Sequence, residues 1–198
     1  MKADNLPPGD GINFPVLHTE RLLLREFQEQ DAAAVFEIFH REDVSRYVGG
    51  ELMESFAEAE ERVKTRLNLF RDGMGVRWAI TLLEDPSRLI GSCGYFNLRK
   101  GTETRETGYE LHPDYWNRGL ITEAMRAVLD FAFNTEGPTH VHRMEAIVIP
   151  ENLPSIRVLE KLGFTCEGIR REFGFWKGRH QDVCLYALLE QEWKGNPK

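Results

Sequence analysis

Apolar residues recur along this chain with two different spacings, and each spacing predicts one type of secondary structure. Short apolar runs bounded by turn-forming residues predict strands over 21–27, 77–83, 89–96, 105–111, 143–149, 164–173 and 182–189. Apolar residues three or four positions apart predict helices over 32–39, 56–71, 120–134 and 152–162. This mixture of strands and helices predicts an α/β domain of the α+β type.

Residues at the element boundaries sharpen these predictions. Asp31 is expected to begin the first helix, and Gly163 is expected to end the last one in a left-handed conformation. The first hairpin is expected to turn at Asp85-Pro86-Ser87. Pro113 has no N–H for a sheet ladder, so the pairing of strand 105–111 is expected to loosen there.

The chain divides into a short lead-in and one domain. Residues 1–15 contain three prolines and two glycines, which predicts a flexible lead-in. Residues 16–198 contain no internal repeat and no low-complexity linker. Their elements are expected to form a single mixed, mostly antiparallel central sheet of about seven strands flanked by helices.

Composition places the chain among ordinary globular proteins. It has 198 residues, of which 41% are hydrophobic and 29% are charged. No apolar run approaches the roughly 20 residues that a membrane-spanning helix needs. The first residues lack the apolar core of a secretory signal. These features predict a cytoplasmic protein with no membrane partner.

The charge pattern excludes one class of partner. The net charge is -7, and no segment concentrates Lys and Arg, so binding to a nucleic-acid backbone is not expected. The acidic balance would attract a cationic acceptor, such as an amine, through the long-range field.

The cysteines and histidines predict neither a disulfide framework nor a metal site. Cys93, Cys166 and Cys184 are widely spaced and odd in number. Each lies in an apolar, strand-like segment, which favours a small buried hydrophobe over a nucleophile. The six histidines show no paired ligand spacing, so no metal is predicted.

The stretch from Gly108 to Ala124 carries the most chemical information. It reads as a strand, a short loop that contains Gly119, and a helix that begins at once. The first N–H groups of such a helix lack intrahelical partners and lie at the positive end of the helix dipole, so they can hold a diphosphate. A glycine needed only for the turn is the alternative. A second strand-to-helix junction, from Ile149 to Phe164, favours the phosphate interpretation.

Together these segments resemble the GNAT superfamily, and within it the group that includes the ribosomal-protein N-terminal acetyltransferases RimJ and RimL. The similarity covers roughly residues 16–190. It is carried by His18-Thr-Glu-Arg-Leu-Leu-Leu-Arg-Glu-Phe, Leu89-Ile-Gly, Gly108-Tyr-Glu-Leu-His-Pro-Asp-Tyr-Trp, Asn152-x-x-Ser155 and Asp182-Val183 with Tyr186. The family's phosphate loop, usually Gln/Arg-x-x-Gly-x-Gly/Ala, reads Trp116-Asn-Arg-Gly119-Leu-Ile121 here, and the bulk of Ile121 could narrow it.

The resemblance implies a site for acetyl-CoA as co-substrate. Backbone N–H groups of the loop and first helical turn would hold the diphosphate; these residues are Arg118, Gly119, Leu120, Ile121 and Thr122. The Thr122 hydroxyl could add to this or only cap the helix. The Arg118 side chain could meet a phosphate or be solvated. Arg157 and Lys161, one helical turn apart, could help with phosphate or be surface charge.

The resemblance also assigns the end of strand 105–111 to the pantetheine arm. Backbone groups of Glu110, Leu111 and His112 are expected to diverge from the neighbouring strand, with the Leu111 N–H as a donor to the thioester carbonyl. Asn152 is expected to hydrogen-bond the same arm, with helix capping as the alternative.

Two residues are candidates for proton transfer. Glu110 is the candidate base for the ammonium proton, directly or through water, with a solvated strand carboxylate as the alternative and Glu106 in reserve. Ser155 is the candidate proton donor to sulfur, or it orients the thiolate or a water. Trp78, Trp176 and Tyr47 could line an acceptor pocket, although aromatic residues in strands usually belong to the core.

The function that the resemblance implies is direct acetyl transfer from acetyl-CoA to a primary amine, without an acyl-enzyme. The acceptor could be a protein or peptide N-terminus, or a small molecule such as a polyamine, an amino acid or an antibiotic. A non-catalytic acyl-CoA sensor is the second possibility. A nucleotide binder is disfavoured because Gly-x-Gly-x-x-Gly and Gly-Lys-Ser/Thr are absent from the sequence. The protein could be a monomer or a homodimer paired through a sheet edge.

Overall fold

The computed structural model describes residues 13–47, 52–99, 101–135 and 140–195. Within these residues, eight strands form one sheet in the order β1-β2-β3-β4-β5-β6-β8-β7. The strands are β1 Leu17–His18, β2 Leu22–Arg25, β3 Gly75–Leu82, β4 Asp85–Arg99, β5 Thr104–Leu111, β6 Arg143–Val148, β7 Thr165–Trp176 and β8 Arg179–Leu189. All neighbours pair antiparallel except β5 and β6, which are parallel.

The described residues form six α-helices. They are α1 Ala32–Phe39, α2 Glu42–Ser45, α3 Phe56–Arg71, α4 Leu120–Asn134, α5 Leu153–Lys161 and α6 Glu190–Gly195, and 3-10 turns span Glu29–Asp31 and Pro113–Tyr115. Successive strand residues point to opposite faces, so the sheet has two cores. Trp78 and Ile80 belong to the core that includes Met125 of α4, whereas Ala79 belongs to the core that includes Val63 of α3.

The predicted fold class is confirmed: one mixed, mostly antiparallel sheet is flanked by helices. Periodicity located the long helices α3 and α4 at their observed bounds. It missed β1, α2 and α6, because two, four and six residues are too short to display a period. The predicted turn Asp85-Pro86-Ser87 is wrong: the chain turns at residues 83–84, and β4 already begins at Asp85.

Two boundary residues behave differently from each other. Gly163 follows α5 with a φ of 88°, which confirms the predicted left-handed end. Asp31 precedes α1, but its buried carboxylate does not cap that helix. It instead accepts two hydrogen bonds of 2.8 Å from the Arg25 guanidinium and one from the Gln28 N–H. This ion pair holds the start of α1 against strand β2, because Asp31 precedes α1 and Arg25 ends β2.

The predicted lead-in, residues 1–15, lies mostly outside the described residues. Its last part contacts the domain: the Phe14 ring lies 5.2 Å from Phe70 and 6.0 Å from Trp78, measured between centroids. The Trp78 indole N–H donates to the Pro15 carbonyl oxygen. The packed domain therefore begins before residue 16.

The cysteines divide by burial. Cys93 and Cys184 are buried, as predicted. Cys166 is exposed, and it lies on β7, an edge strand of the sheet whose residues are mostly exposed. Within the described residues, His, Cys, Asp and Glu form no group that could hold a metal ion. No helix in the described ranges is long and apolar enough to cross a membrane.

Candidate active site

The sheet opens between its two parallel strands. β5 and β6 pair only at Thr104–Arg143, Arg105–Met144 and Glu106–Glu145, although both strands continue beyond these pairs. Beyond Glu106 the backbone of β5 has β4 alone as its partner, so a gap opens at the C-terminal ends of β5 and β6.

The alternation of the antiparallel ladder decides which backbone groups face this gap. The His112 N–H donates to the Ile90 carbonyl oxygen at 2.8 Å, so His112 points its groups towards β4. The residues next in the alternation, Leu111 and Tyr109, direct their N–H and C=O groups to the other side. The Leu111 carbonyl oxygen accepts from the Trp116 indole at 2.8 Å. The Leu111 N–H therefore faces the gap, whereas the backbone groups of Glu110 and His112 face β4.

Helix α4 begins beside the gap, after a loop formed by residues 116–119, which we call the α4 loop. Gly119 precedes the helix with a φ of 77°, in the left-handed region that favours glycine. The first intrahelical bond runs from the Glu123 N–H to the Gly119 carbonyl oxygen, at 3.0 Å. The N–H groups of Leu120, Ile121 and Thr122 have no acceptor among the described residues, which leaves them available to an anion.

The segment before β2 holds this helix start in place, a role that the sequence analysis missed. Arg21 Nε donates to Glu123 Oε2 at 2.7 Å, and Arg21 Nη1 donates to the Arg118 carbonyl oxygen at 3.1 Å. The Thr19 hydroxyl donates to Glu123 Oε1. The Thr19-Glu-Arg21 part of the quoted sequence therefore couples β2 to the first turn of α4.

A cleft of about 390 Å³ runs along the gap and the start of α4. Eight of the ten predicted site residues line it, namely Glu110, Leu111, Gly119, Leu120, Ile121, Thr122, Asn152 and Ser155. Arg157 and Lys161, which the sequence left open as phosphate ligands or surface charge, also line it. The structure thus brings the two strand-to-helix junctions into one cavity.

Two predicted residues, His112 and Arg118, do not line the cleft. The His112 carbonyl oxygen accepts from the Tyr115 N–H, and its N–H is bonded to Ile90, so neither backbone group is available to a ligand. Arg118 Nη2 donates to the Asp114 carbonyl oxygen at 2.6 Å, and the guanidinium lies 5.4 Å from the Tyr115 ring centroid. These contacts turn the Arg118 side chain away from the cavity.

A tyrosine on β5 joins the start of α5 in the cleft. The Tyr109 hydroxyl lies 2.8 Å from Ser155 Oγ and 3.2 Å from the Ser155 carbonyl oxygen. Burial raises the pKa of Tyr109 to about 12, despite the hydrogen bond to Ser155, so the phenol is protonated at neutral pH. The Asn152 side chain accepts from the Ser155 N–H at 3.2 Å and thereby caps α5. The sequence analysis did not identify Tyr109, which lies 46 positions from Ser155.

The Glu110 carboxylate lies in a buried cluster with Arg66, Arg77 and Ser92, which we call the Glu110 cluster. Arg66 Nη1 donates to Glu110 Oε1 at 2.7 Å, and Arg77 Nη2 donates to Oε2. Ser92 Oγ also donates to Oε1. Burial alone would raise the pKa of Glu110, but the charges of Arg66 and Arg77 and these hydrogen bonds outweigh it and lower that pKa to about 2.

The remaining candidates are scattered. Glu106, the reserve base, accepts from Asn97 at 3.3 Å and does not line the cleft. Trp78 is fully buried in the core, as the alternative interpretation predicted. Tyr47 lines the cleft, whereas Trp176 lines a second cavity that Tyr47 also borders.

Comparison with known proteins identifies the class. A family model described as an acetyltransferase (GNAT) domain matches residues 21–165, and the chain belongs to this family of acetyltransferases. The uncharacterised N-acetyltransferase YoaA of Bacillus subtilis strain 168 is 35% identical over 177 residues, which are 89% of this chain and 98% of that protein. The predicted enzyme class and GNAT fold are therefore confirmed.

Two further proteins that are similar to the chain are named for ribosomal proteins. The [ribosomal protein uS5]-alanine N-acetyltransferase of Escherichia coli K12 is 29% identical over 110 residues, 55% of each chain. The structure of RimL, the ribosomal L7/L12 alpha-N-protein acetyltransferase, in complex with coenzyme A has a TM-score of 0.78. It covers 88% of this chain and 98% of RimL; at 17% identity it shows the shared fold.

Proposed function

We propose that this protein transfers an acetyl group directly from acetyl-CoA to a primary amine, and that its acceptor is the N-terminal α-amine of a peptide or protein. The observation that carries the proposal is the gap between β5 and β6, which opens beside the unpartnered N–H groups at the start of α4. The CoA complex of RimL, a protein of the same fold, supports the choice of co-substrate.

The residues of the cleft fit acetyl-CoA. The N–H groups of Leu120, Ile121 and Thr122 would hold the diphosphate, with Arg157 and Lys161 adding positive charge to the same cavity. The gap-facing backbone groups of Tyr109 and Leu111 would hold the pantetheine arm, much as a strand edge holds an added strand. Ile121 lines this cavity and is partly exposed, so its bulk does not close the loop.

Two groups in the cleft would act on the reacting atoms, and a third would orient one of them. Acetyl-CoA supplies a thioester, whose carbonyl carbon bonds to the amine nitrogen as the carbon–sulfur bond breaks and CoA leaves as a thiol. The Leu111 N–H would donate to the carbonyl oxygen, where negative charge develops. Ser155 Oγ would donate to the departing sulfur. Tyr109, which stays protonated, would donate to Ser155 Oγ and so direct the serine proton towards the cleft.

The acceptor ammonium must lose a proton before it attacks. The role of Glu110 as the base stays a prediction, and its environment argues against it. A carboxylate with a pKa of about 2 accepts a proton poorly near neutral pH. In this proposal the proton passes to water in the cleft, and Glu110 stays ionised as the partner of Arg66 and Arg77.

The names of two relatives favour an α-amine over a small-molecule amine. One is named for the alanine of ribosomal protein uS5, and the other for an alpha-N-protein activity on L7/L12. We carry this acceptor class to the present chain as part of the proposal. Polyamines, amino acids and antibiotics form the alternative acceptor class.

Thiol release from acetyl-CoA across a panel of amines tests the proposal. The panel contains short peptides with different N-terminal residues, polyamines, amino acids and aminoglycosides. Turnover with peptides is expected. Turnover with only one class of small-molecule amine would show that this class, and not a peptide, is the acceptor. If no amine supports turnover while acetyl-CoA still raises the melting temperature, the protein is an acyl-CoA sensor. If acetyl-CoA does not raise the melting temperature, the co-substrate is wrong.

A further inference from the structure

A second cavity, of about 320 Å³, borders the candidate active site. It lies between the end of α2 and the turn that joins β7 to β8, and we call it the hairpin pocket. Tyr47 lines both the hairpin pocket and the cleft. Glu151, which also lines the hairpin pocket, directly precedes Asn152 of the cleft. A molecule that occupies the hairpin pocket therefore lies next to the reacting end of the proposed site.

Positive charge dominates this pocket. Its lining includes three basic residues, Arg46, Lys177 and Arg179, and one acidic residue, Glu151. Lys177 Nζ donates to the Ser45 carbonyl oxygen, which anchors the hairpin to α2. Neither Arg46 nor Arg179 has an ion-pair partner among the described residues. The pocket is thus locally basic in a chain whose net charge is -7.

One residue that lines the pocket, Trp176, has a buried hydrogen-bond donor without an acceptor among the described residues. The indole Nε1 of Trp176 is buried and has no hydrogen-bond partner in the described part of the chain. A buried donor without a partner costs free energy, so its retention needs an explanation. The absence of a side chain at Gly174 leaves room for this ring, because a Cβ at that position would overlap the Trp176 ring. An oxyanion in the pocket would meet the guanidinium groups of Arg46 and Arg179 and would lie beside Trp176.

We infer that the hairpin pocket binds an oxyanion of the acceptor, so that the preferred acceptors are peptides whose first residues include an acidic side chain. This inference rests on the proposed function, and it names the substrate class of the same site. The N-terminal amine would reach past Tyr47 into the cleft while the acidic group stays with Arg46 and Arg179. The acidic side chain of such an acceptor would match the local positive charge of the pocket, although the net charge of the chain is -7.

Peptide binding in the presence of CoA tests the inference without depending on turnover. Four peptides of equal length, with free N-termini and amidated C-termini, carry Glu, phosphoserine, Ala or Lys near the N-terminus. Calorimetry is expected to give at least about tenfold tighter binding for the Glu and phosphoserine peptides than for the Ala peptide, with Lys weakest. The phosphoserine arm distinguishes a phosphate from a carboxylate. The preference is expected to shrink as salt rises.

Three variants assign the preference to the pocket. Arg46→Gln and Arg179→Gln are expected to remove most of it, since both side chains are exposed and unpaired and their loss leaves the fold intact. Arg171→Gln is the matched control, because it removes an exposed arginine from the same hairpin but outside the pocket. Equal binding of all four peptides, or equal loss in the Arg171 variant, would overturn the inference.

Thiol release with the same peptides separates the two proposals. Turnover without any charge preference leaves the acetyltransferase function standing and refutes the pocket. Selective binding of acidic peptides, lost in Arg179→Gln but without turnover, supports the pocket and refutes the proposed acceptor reaction.

Discussion

The start of α4 and Glu110 line the same cleft, but different groups form the two regions. At α4 the binding groups are backbone N–H groups, presented by the conformation of one glycine and one helix end. In the Glu110 cluster they are side chains from α3, β3, β4 and β5. A site made of backbone depends on local conformation, whereas a site made of paired charges fails when any one partner is removed. The five predictions below test this difference.

Glu110→Gln is expected to have the largest effect, because it leaves Arg66 and Arg77 buried without a carboxylate. Removing one partner of a buried ion pair costs about 3–5 kcal/mol, and the Glu110 side chain is 10% exposed. Urea unfolding at neutral pH measures this loss. Glu106→Gln, on the same strand and outside the cluster, is the control and is expected to change stability by less than about 0.5 kcal/mol. Equal effects of the two variants would show that the cluster contributes nothing.

The same carboxylate predicts a pH dependence of stability. Its folded pKa, about 2, lies below its ordinary value of 4.5, so its contribution is fully present above about pH 4.5. The contribution is lost as the pH falls from about 4.5 towards about 2. The stability difference between the parent and Glu110→Gln should therefore be constant near neutral pH and shrink in acid. A difference that shrinks between about pH 8 and 5 would contradict the low pKa.

Ser155→Ala is expected to reduce kcat on the order of 10²-fold if its hydroxyl assists the departing sulfur. Tyr109→Phe, which removes only the orienting hydrogen bond, is expected to cost about tenfold. The double variant should lose little more than Ser155→Ala, because the two hydroxyls act as a unit. Tyr95→Phe is the control, since burial likewise raises the pKa of Tyr95 to about 12 but that residue does not line the cleft. If the losses in kcat of the two single variants added up in the double variant, the two hydroxyls would not act as a unit.

Gly119→Ala and Gly101→Ala form a matched pair, with φ values of 77° and 79°. Each substitution places an L-residue in the left-handed region, at a cost of about 1–2 kcal/mol in stability. Only Gly119→Ala is expected to reduce the rise in melting temperature that acetyl-CoA produces, because only Gly119 presents the start of α4. If acetyl-CoA raised the melting temperature of Gly119→Ala as much as that of the parent, the α4 loop would not contribute to CoA binding.

Arg21→Gln is expected to have the smallest effect. The Arg21–Glu123 pair spans 2.6 Å, but the arginine side chain is 47% exposed, and such pairs contribute about 0.2–1 kcal/mol. The variant should weaken acetyl-CoA binding a few-fold at low salt and less at high salt. Arg71→Gln, an exposed arginine at the end of α3, serves as the control. A salt-independent loss would indicate a contact with the ligand itself.

The difference between the two regions also explains what the sequence could reveal. The start of α4 was predictable because a strand, a glycine and an amphipathic helix follow one another within about twenty residues. The Glu110 cluster was not, because Arg66 lies 44 positions and Arg77 33 positions from Glu110. Tyr109 and Ser155 are 46 positions apart, so their hydrogen bond had no local signal either. The direction of the His112 backbone, which points towards β4, was not predictable because it depends on the pairing register of β4 and β5.

Successive residues of strand β5 point to opposite faces of the sheet, and this alternation separates the two regions. Tyr109 and Leu111 belong to the side of the cleft that is proposed to bind CoA. Glu110, between them, contacts α3 and β3 on the other face of the sheet. A substitution at an even-numbered position can therefore change what the acceptor meets without moving the groups proposed to bind CoA. Through such substitutions, descendants of one ancestral gene could come to use different acceptors while they keep the same acyl donor. No insertion or deletion would be needed.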